Sequence, residues 1–136
     1  MASALSAQGK LFFHYRDKPY NTEAIIDFLK QLLNQTCSKL LIVWDGASVH
    51  KSKELRAFLA TDEQAWRLHL VIQPAYSPQL NADEQVWQWI KNVALKNVCL
   101  QNFKELKKRV IREMEELAAN PTLLKKFFQH PELAFY

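Results

Sequence analysis

The sequence predicts an α/β fold with at least a partly parallel sheet. Short apolar runs alternate with amphipathic segments, which is typical of strands connected by helices. The run at 40–44, LLIVW, is continuously apolar and is bounded by polar residues, as expected of a strand buried on both faces in a parallel sheet. A second apolar run, LHLVI at 68–72, follows a helical segment. The 136 residues fit one compact domain.

The predicted elements begin with a hairpin that turns near Gly9. Asn21 or Thr22 can cap a helix that ends near Leu33, because apolar residues recur there at helical spacing. The strands are expected at 2–6, 10–15, 40–44 and 68–72. The helices are expected at 22–33, 51–60, 82–94, 102–117 and 121–128. The helix at 102–117 is amphipathic, with an apolar stripe of Phe103, Leu106, Val110, Met114 and Leu117.

Composition argues against several classes of protein. The longest apolar run is far too short to cross a membrane, and the N-terminus lacks the pattern of a secretory signal. Cys37 and Cys99 form no CxxC pair, and the four histidines have no zinc-site spacing. We therefore expect a cytoplasmic protein with reduced thiols and no membrane association.

The excess positive charge lies in the last third of the chain. Residues 1–90 carry nine basic and nine acidic side chains, whereas residues 91–128 carry nine basic and four acidic ones. A basic segment suits a polyanion such as nucleic acid. The alternative is a solvated helical surface of mixed charge, and the segment taken alone favours this alternative.

Two acidic residues are candidates for a functional site. Asp45 directly follows LLIVW, and functional groups gather at the carboxyl ends of such strands, although Asp-Gly is also a common turn pair. Glu84 lies three residues after Asn81, which is also the spacing of a capping box. Pro74 and Pro78 restrict the loop before that helix, so the helix start is delivered in one orientation. Two carboxylates brought together would suit Mg²⁺ or Mn²⁺ rather than zinc.

These segments resemble a known family. PAYSPQLNADEQVWQWIK, at 74–91, resembles the Pro-x-Tyr-Ser-Pro-x-Leu-Asn-Pro-x-Glu-x-x-Trp motif of DDE transposases of the mariner superfamily, including its bacterial insertion-sequence members. LLIVWDGASVHKSKELRAFL, at 40–59, resembles the segment with the second catalytic Asp of that family. Asp45 and Glu84 are separated by 38 residues, in the family's order. The resemblance covers most of residues 1–100, and Ala82 departs from it where proline is usual.

The resemblance implies a ribonuclease-H-like mixed sheet with flanking helices. Residues 1–100 would form a partial DDE catalytic domain, and residues 101–136 a basic helical extension of the same domain. The first, central strand of that fold carries the first catalytic Asp and would lie upstream of the present residues. We therefore expect a sheet that lacks its central strand.

The resemblance also assigns roles by position. Asp45 and Glu84 would be catalytic metal ligands in a site for two Mg²⁺ or Mn²⁺ ions. His50 would approach the DNA or the metal site; the alternative is that His50 is simply a polar residue at the start of a helix. Trp87 would pack behind the site. DNA contacts are expected from the basic segment, at Lys91, Lys104, Lys107 and Lys108.

The expected function is that of a truncated DDE transposase domain. The intact family carries out metal-dependent DNA cleavage and strand transfer, and we expect this chain alone to be inactive because the first catalytic Asp is missing from it. One alternative is a non-catalytic remnant that binds DNA or a transposase subunit. Another is a split arrangement in which a second open reading frame supplies the first Asp.

Overall fold

The computed structural model describes residues 1–16, 20–44, 52–73, 81–96, 99 and 101–129. The strands are β1 (Ala2–Leu5), β2 (Leu11–His14), β3 (Leu40–Trp44) and β4 (Leu68–Ile72). The helices are α1 (Thr22–Gln35), α2 (Lys53–Thr61), α3 (Ala82–Trp89), α4 (Phe103–Ala118) and α5 (Pro121–Lys126). The mixed α/β class and every predicted element are confirmed, with the ends shifted by a few residues.

The four strands form two separate two-stranded sheets within the described residues. One is the hairpin of β1 and β2. In the other, β3 and β4 run parallel, with Leu40 opposite Leu68 and Trp44 opposite Ile72. The prediction of parallel pairing is thus confirmed, and both of these strands end at the same edge of their sheet.

The expectation that β3 is buried on both faces is wrong for the described structure. Leu41 is 63% exposed, and His69 and Val71, on the same face of the sheet, are exposed as well. Leu40 and Ile42, on the opposite face, are partly buried. An apolar run therefore predicted the strand correctly but not the cover on both of its faces, because cover depends on segments distant in the chain.

The chain divides into two compact units, each with its own apolar core. The first unit comprises Met1–Ala2 and Phe13–Ser77, and the second comprises Ser3–Phe12 and Pro78–Tyr136. In the first unit, α1 and α2 pack together. Their buried side chains are Ala24, Phe28, Leu29, Leu32 and Leu33 on α1, and Leu55 and Phe58 on α2.

The amino-terminal ends of the helices are set by side-chain caps. Asn21 caps α1 by accepting the Ala24 N–H at 3.0 Å, and Ser52 caps α2 by accepting the Leu55 N–H at 3.3 Å. Of the two capping residues predicted for α1, Asn21 is therefore the correct one.

Arg67 holds the carboxyl-terminal end of α1. Its side chain is buried, and its guanidinium donates hydrogen bonds to the carbonyls of Leu33, Thr36 and Ser38 at 2.7–3.1 Å. Its Nε donates to the Gln64 side chain at 3.1 Å. Carbonyls at the end of a helix have no partner within the helix, so a cation at this end both satisfies them and complements the helix dipole.

The second unit is built around α3, α4 and α5. Its buried apolar side chains include Val86, Ile90, Met114, Leu117 and Leu124. Gly9, in the hairpin turn, has φ +84°, and a Cβ built there would lie 2.7 Å from the Pro121 carbonyl oxygen. Glycine is required at this position because the backbone of α5 approaches it closely and the turn is left-handed.

The apolar stripe predicted for α4 is buried only in its second half. Met114 and Leu117 are buried, whereas Phe103 is 73% exposed and Leu106 is also exposed. Asn102 caps the helix by accepting the Glu105 N–H at 2.9 Å. The helix was therefore predicted correctly, but its apolar stripe is less well covered towards the amino-terminal end than towards the carboxyl-terminal end.

Two composition-based expectations concern the whole molecule. Cys37 and Cys99 are free thiols, as expected. No helix in the described part of the chain is long and apolar enough to cross a membrane.

Candidate active site

Glu84 lies in the first turn of α3, and its side chain is exposed. The helix starts where Asn81 accepts the Asp83 N–H on its side-chain oxygen at 3.1 Å and the Glu84 N–H on its carbonyl at 3.0 Å. The predicted capping role of Asn81 is thus confirmed. No hydrogen bond or ion pair from the described residues reaches the Glu84 carboxylate, and the return bond of a capping box is not formed among them. The carboxylate is therefore accessible to a cation.

Asp83, the residue before Glu84, is partly buried. The Ser3 hydroxyl lies 2.8 Å from each of its carboxylate oxygens, and the side chain of Trp87 is a second hydrogen-bond donor. Burial raises the pKa of Asp83 from 3.8 to about 6, against the lowering effect of the Ser3 and Trp87 hydrogen bonds, and the nearby charge of Glu84 adds to the rise. Two adjacent carboxyl groups thus have different environments: that of Asp83 is partly buried and hydrogen-bonded, and that of Glu84 is exposed.

Sequence reasoning missed this role of Asp83. Its position in the first turn of a helix gives no signal of a particular role, because any acidic side chain is favoured there. The four-residue spacing from Asp83 to Trp87 does carry a signal, because such residues are neighbours on a helix. Ser3, 80 residues away in the chain, gives no comparable signal. Trp87 hydrogen-bonds to Asp83, and its expected packing behind the site stays a prediction.

The second predicted acidic residue, Asp45, and the neighbouring His50 lie outside the described residues. The strand that precedes Asp45 is described, and it ends beside the end of β4. Trp44 is paired with Ile72, and its carbonyl accepts the Gln73 N–H at 2.8 Å. Each strand end is thus followed in sequence by one half of the predicted site, but the approach of Asp45 to Glu84 stays a prediction.

The predicted DNA-contacting lysines lie on two elements of the second unit. Lys91 is exposed on a π-helical turn, Ile90–Ala94, that continues α3 and is closed by the Leu95 N–H donating to the Ile90 carbonyl at 2.9 Å. Lys104 and Lys108 are exposed in the first half of α4, and Lys107 is partly buried there. Binding of DNA by these lysines stays a prediction.

The two arginines of α4 are arranged differently from its lysines. Arg109 pairs with Glu113 at 3.0 Å, and Arg112 pairs with Glu116 at 3.1 Å. Both arginines thus have carboxylate partners on their own helix. The positive charge that is free to meet a polyanion therefore concentrates on the exposed lysines in the first half.

The described donor set is compatible with a divalent ion but does not complete a site. Within the described ranges, no group of three or more His, Cys, Asp or Glu side chains is placed to hold a metal ion. Glu84 offers exposed carboxylate oxygens, the ligand type preferred by Mg²⁺ and Mn²⁺. Asp45 would add oxygens of the same kind.

Comparison with known proteins decides the family. A family model described as DDE superfamily endonuclease matches residues 1–107. The chain belongs to the DDE superfamily endonucleases. The resemblance drawn from the loop motif and from the strand before Asp45 is thereby confirmed, and both segments lie within the matched range.

A curated relative agrees with this family. The chain is 26% identical over 98 residues to the "Insertion element IS630 uncharacterized 39 kDa protein" of Shigella sonnei, a match that covers 71% of this chain and 28% of the relative. The chain thus spans well under a third of that protein. No solved structure matches the chain. DDE endonucleases act on DNA with divalent metal ions, which sets the expected classes of substrate and cofactor for the family.

Proposed function

We propose that this chain supplies part of the catalytic domain of a DDE transposase, which cuts DNA and joins it to a target. The observation that carries the proposal is the exposed Glu84 carboxylate on a capped helix start, within the segment that matches the DDE endonucleases. Residues 1–100 contribute to the catalytic domain, and residues 101–136 extend it. We also propose that the protein is cytoplasmic, because its proposed substrate is DNA.

Asp45 and Glu84 hold Mg²⁺ or Mn²⁺ in this proposal. Such ions supply charge stabilisation at the phosphodiester and activation of the attacking hydroxyl group. The two carboxylates are ligands and not nucleophiles. The fixed start of α3 contributes by holding the Glu84 side chain in one direction, because a site for divalent ions tolerates little displacement of its oxygen ligands.

The first carboxylate of the site comes from a strand that joins β3 in this proposal. β3 pairs with β4 along one edge, and no described strand pairs along its other edge. A strand from upstream polypeptide, or from a second transposase subunit, would complete the ribonuclease-H-like sheet there. The chain alone is therefore inactive and of marginal stability, since exposed strand edges leave backbone groups without partners.

The test of the proposed function compares this chain with a form extended upstream through one further strand. Nicking of a supercoiled plasmid in the presence of Mn²⁺ is expected only from the extended form, and Asp45→Asn and Glu84→Gln should each abolish it. Glu54→Gln is the matched control, because Glu54 is also an exposed acidic residue in the first turn of its helix. The extended form should also show the higher melting temperature.

Two results would contradict the proposal. Undiminished nicking by the extended Glu84→Gln protein would remove the assigned role of this carboxylate. Nicking by the unextended chain that depends on both Asp45 and Glu84 would show that no further acidic residue is needed.

A second candidate function is DNA binding without catalysis, by a remnant of such a transposase. The exposed Lys104 and Lys108 favour it, because they lie on a part of α4 where the basic side chains outnumber the acidic ones. Glu105, the acidic residue in that part, is engaged in the helix start, where its Oε2 accepts the Gln101 N–H at 3.0 Å. Lysines in this arrangement suit phosphate contacts, which carry no sequence information.

Neutralising Lys104, Lys107 and Lys108 together to Gln should weaken DNA binding by a similar factor for every sequence. The slope of log affinity against log salt should fall by about 0.9 for each phosphate that these lysines neutralise in the wild type. The control is the same change at Lys10, Lys30 and Lys53, which are exposed and lie outside the basic segment. Equal binding by the two triple variants would place the DNA-binding surface elsewhere.

A further inference from the structure

Ser3, Asp83 and Trp87 form a polar cluster, here named the carboxyl brace, within the second unit. Ser3 lies in the middle of β1, and Asp83 is the second residue of α3. The Ser3 hydroxyl lies 2.8 Å from both oxygens of the Asp83 carboxylate, and Trp87, one turn further along α3, is also hydrogen-bonded to it. The brace therefore joins the first turn of α3 to a strand 80 residues earlier in the chain.

The carboxyl brace restrains small translations of α3 against β1, which apolar packing restrains only weakly. Ala82, Val86 and Ile90 are buried at helical spacing, so they fix the rotation of α3 about its axis and keep Glu84 on the exposed side. Apolar contacts are non-directional and resist small translations of the helix weakly. Hydrogen bonds have narrow limits of distance and angle, so the Ser3 contact fixes the position of the first turn against β1.

Packing alone does not explain a carboxyl group at this position. An apolar side chain of similar size would fill the same space without the desolvation of a carboxylate. The Asp83 carboxyl is partly buried and is hydrogen-bonded both to the strand and to the next turn of the helix. The residue that follows it directly in the chain is Glu84, and any displacement of the first turn displaces that side chain.

We propose that Ser3 and Asp83 are positioning residues for the Glu84 carboxylate, holding it where a divalent ion is bound. This inference rests on the proposed role of Glu84 as a metal ligand. Neither Ser3 nor Asp83 touches the ion. Residues that orient metal ligands typically change metal affinity on the order of tenfold or more when they are replaced.

Mn²⁺ binding to the full chain tests the proposal, with free Mn²⁺ measured by electron paramagnetic resonance. Ser3→Ala should weaken Mn²⁺ binding on the order of tenfold. Ser3→Thr keeps the hydroxyl, and Asp83→Asn keeps an acceptor oxygen, so both should retain the wild-type affinity. Ser6→Ala is the matched control, because it removes a hydroxyl from the same hairpin, where Ser6 Oγ accepts the Lys10 N–H at 3.0 Å.

Hydrogen exchange provides a readout that is independent of the metal. Ser3→Ala should speed amide exchange in the first turn of α3, and Ser6→Ala should leave it unchanged. Equal exchange in the two variants would overturn the brace whether or not the chain binds Mn²⁺.

The two proposals fail in different ways. If Glu84→Gln leaves Mn²⁺ binding unchanged, the role of Glu84 as a ligand is overturned and the positioning role with it. If Glu84→Gln weakens binding while Ser3→Ala behaves as Ser6→Ala does, the positioning role alone is overturned.

Discussion

Two ionisable side chains, the buried Arg67 in the first unit and the partly buried Asp83 in the second, each fix one end of a helix. Arg67 closes the carboxyl end of α1 with hydrogen bonds to three carbonyls and a glutamine side chain. Asp83 fixes the amino end of α3 with two hydrogen-bonding neighbours, Ser3 and Trp87. Both lie at the end of the helix dipole that suits their charge.

The two differ in how well the charge is compensated. Four acceptors surround the Arg67 guanidinium, and each accepts a hydrogen bond from it. At Asp83, burial outweighs the hydrogen bonds and raises the pKa to about 6. The first helix end is therefore fixed at a gain in stability and the second at a cost. A cost of this kind is tolerated where a position matters more than stability, and Glu84 is the next residue.

The largest expected loss of stability comes from replacing Arg67, whose charge is fully hydrogen-bonded. Arg67→Met should lower the free energy of unfolding by about 3–5 kcal/mol, because three carbonyls of the α1 terminus lose their donor. The stability of Arg67→Lys should lie between those of the wild type and Arg67→Met, since one ammonium group cannot reach all four acceptors as the guanidinium does. Urea unfolding of the three proteins measures the difference. A loss below about 1 kcal/mol in Arg67→Met would show that solvent replaces these bonds.

The stability of the protein should depend on pH through the carboxyl group of Asp83. The folded-state pKa of Asp83 is about 6, above its ordinary value of 3.8. The fold therefore prefers the protonated form, and the stability that this preference provides is fully present below pH 4 and is lost as the pH rises through 6. The loss amounts to about 3 kcal/mol between these limits.

Asp83→Asn separates this effect from other titrations. Asparagine stays neutral, so the variant should be more stable than the wild type at pH 7 and should not show the fall in stability between pH 4 and 7. Unfolding free energies of both proteins across that range provide the measurement. Parallel pH profiles of the two proteins would mean that Asp83 ionises in the fold as it does in the unfolded chain.

The contrast between these sites also shows what the sequence could predict. The strands and helices were predictable because the apolar period and the caps are local signals, as at Asn21 and Asn102. The helix start that carries Glu84 was predictable because its loop and helix form one continuous motif. Neither Arg67 nor Ser3 was, because their partners lie about 30 or more residues away in the chain. The exposure of Leu41 was missed for the same reason, since cover over a strand comes from distant segments.

For the candidate site, too, the sequence predicted local features but no contacts between distant segments. Local pattern placed Glu84 at an accessible helix start, and the structure confirms that placement. It could not show that the neighbouring Asp83 is partly buried against Ser3, because acidic residues at a helix start are usually solvated. Whether Asp45 meets Glu84 depends on the arrangement of distant segments, which no local pattern fixes.

The smallest effects are expected on α4, where two ion pairs of the same spacing differ in burial. The side chain of Glu113 is 7% exposed and that of Glu116 is 56% exposed, while both accept from an arginine on the preceding turn at 3.0–3.1 Å. Glu113→Gln should cost about 1–2 kcal/mol, because Arg109 is left partly buried without a charged partner. Glu116→Gln should cost at most about 0.5 kcal/mol, since water replaces the exposed pair.

Thermal unfolding at low and high salt separates the two substitutions, because screening should abolish the effect of Glu116→Gln and leave most of the effect of Glu113→Gln. Equal losses would mean that spacing on the helix, and not burial, sets the strength of a charge pair in this protein, and the difference drawn between Arg67 and Asp83 would then need another cause.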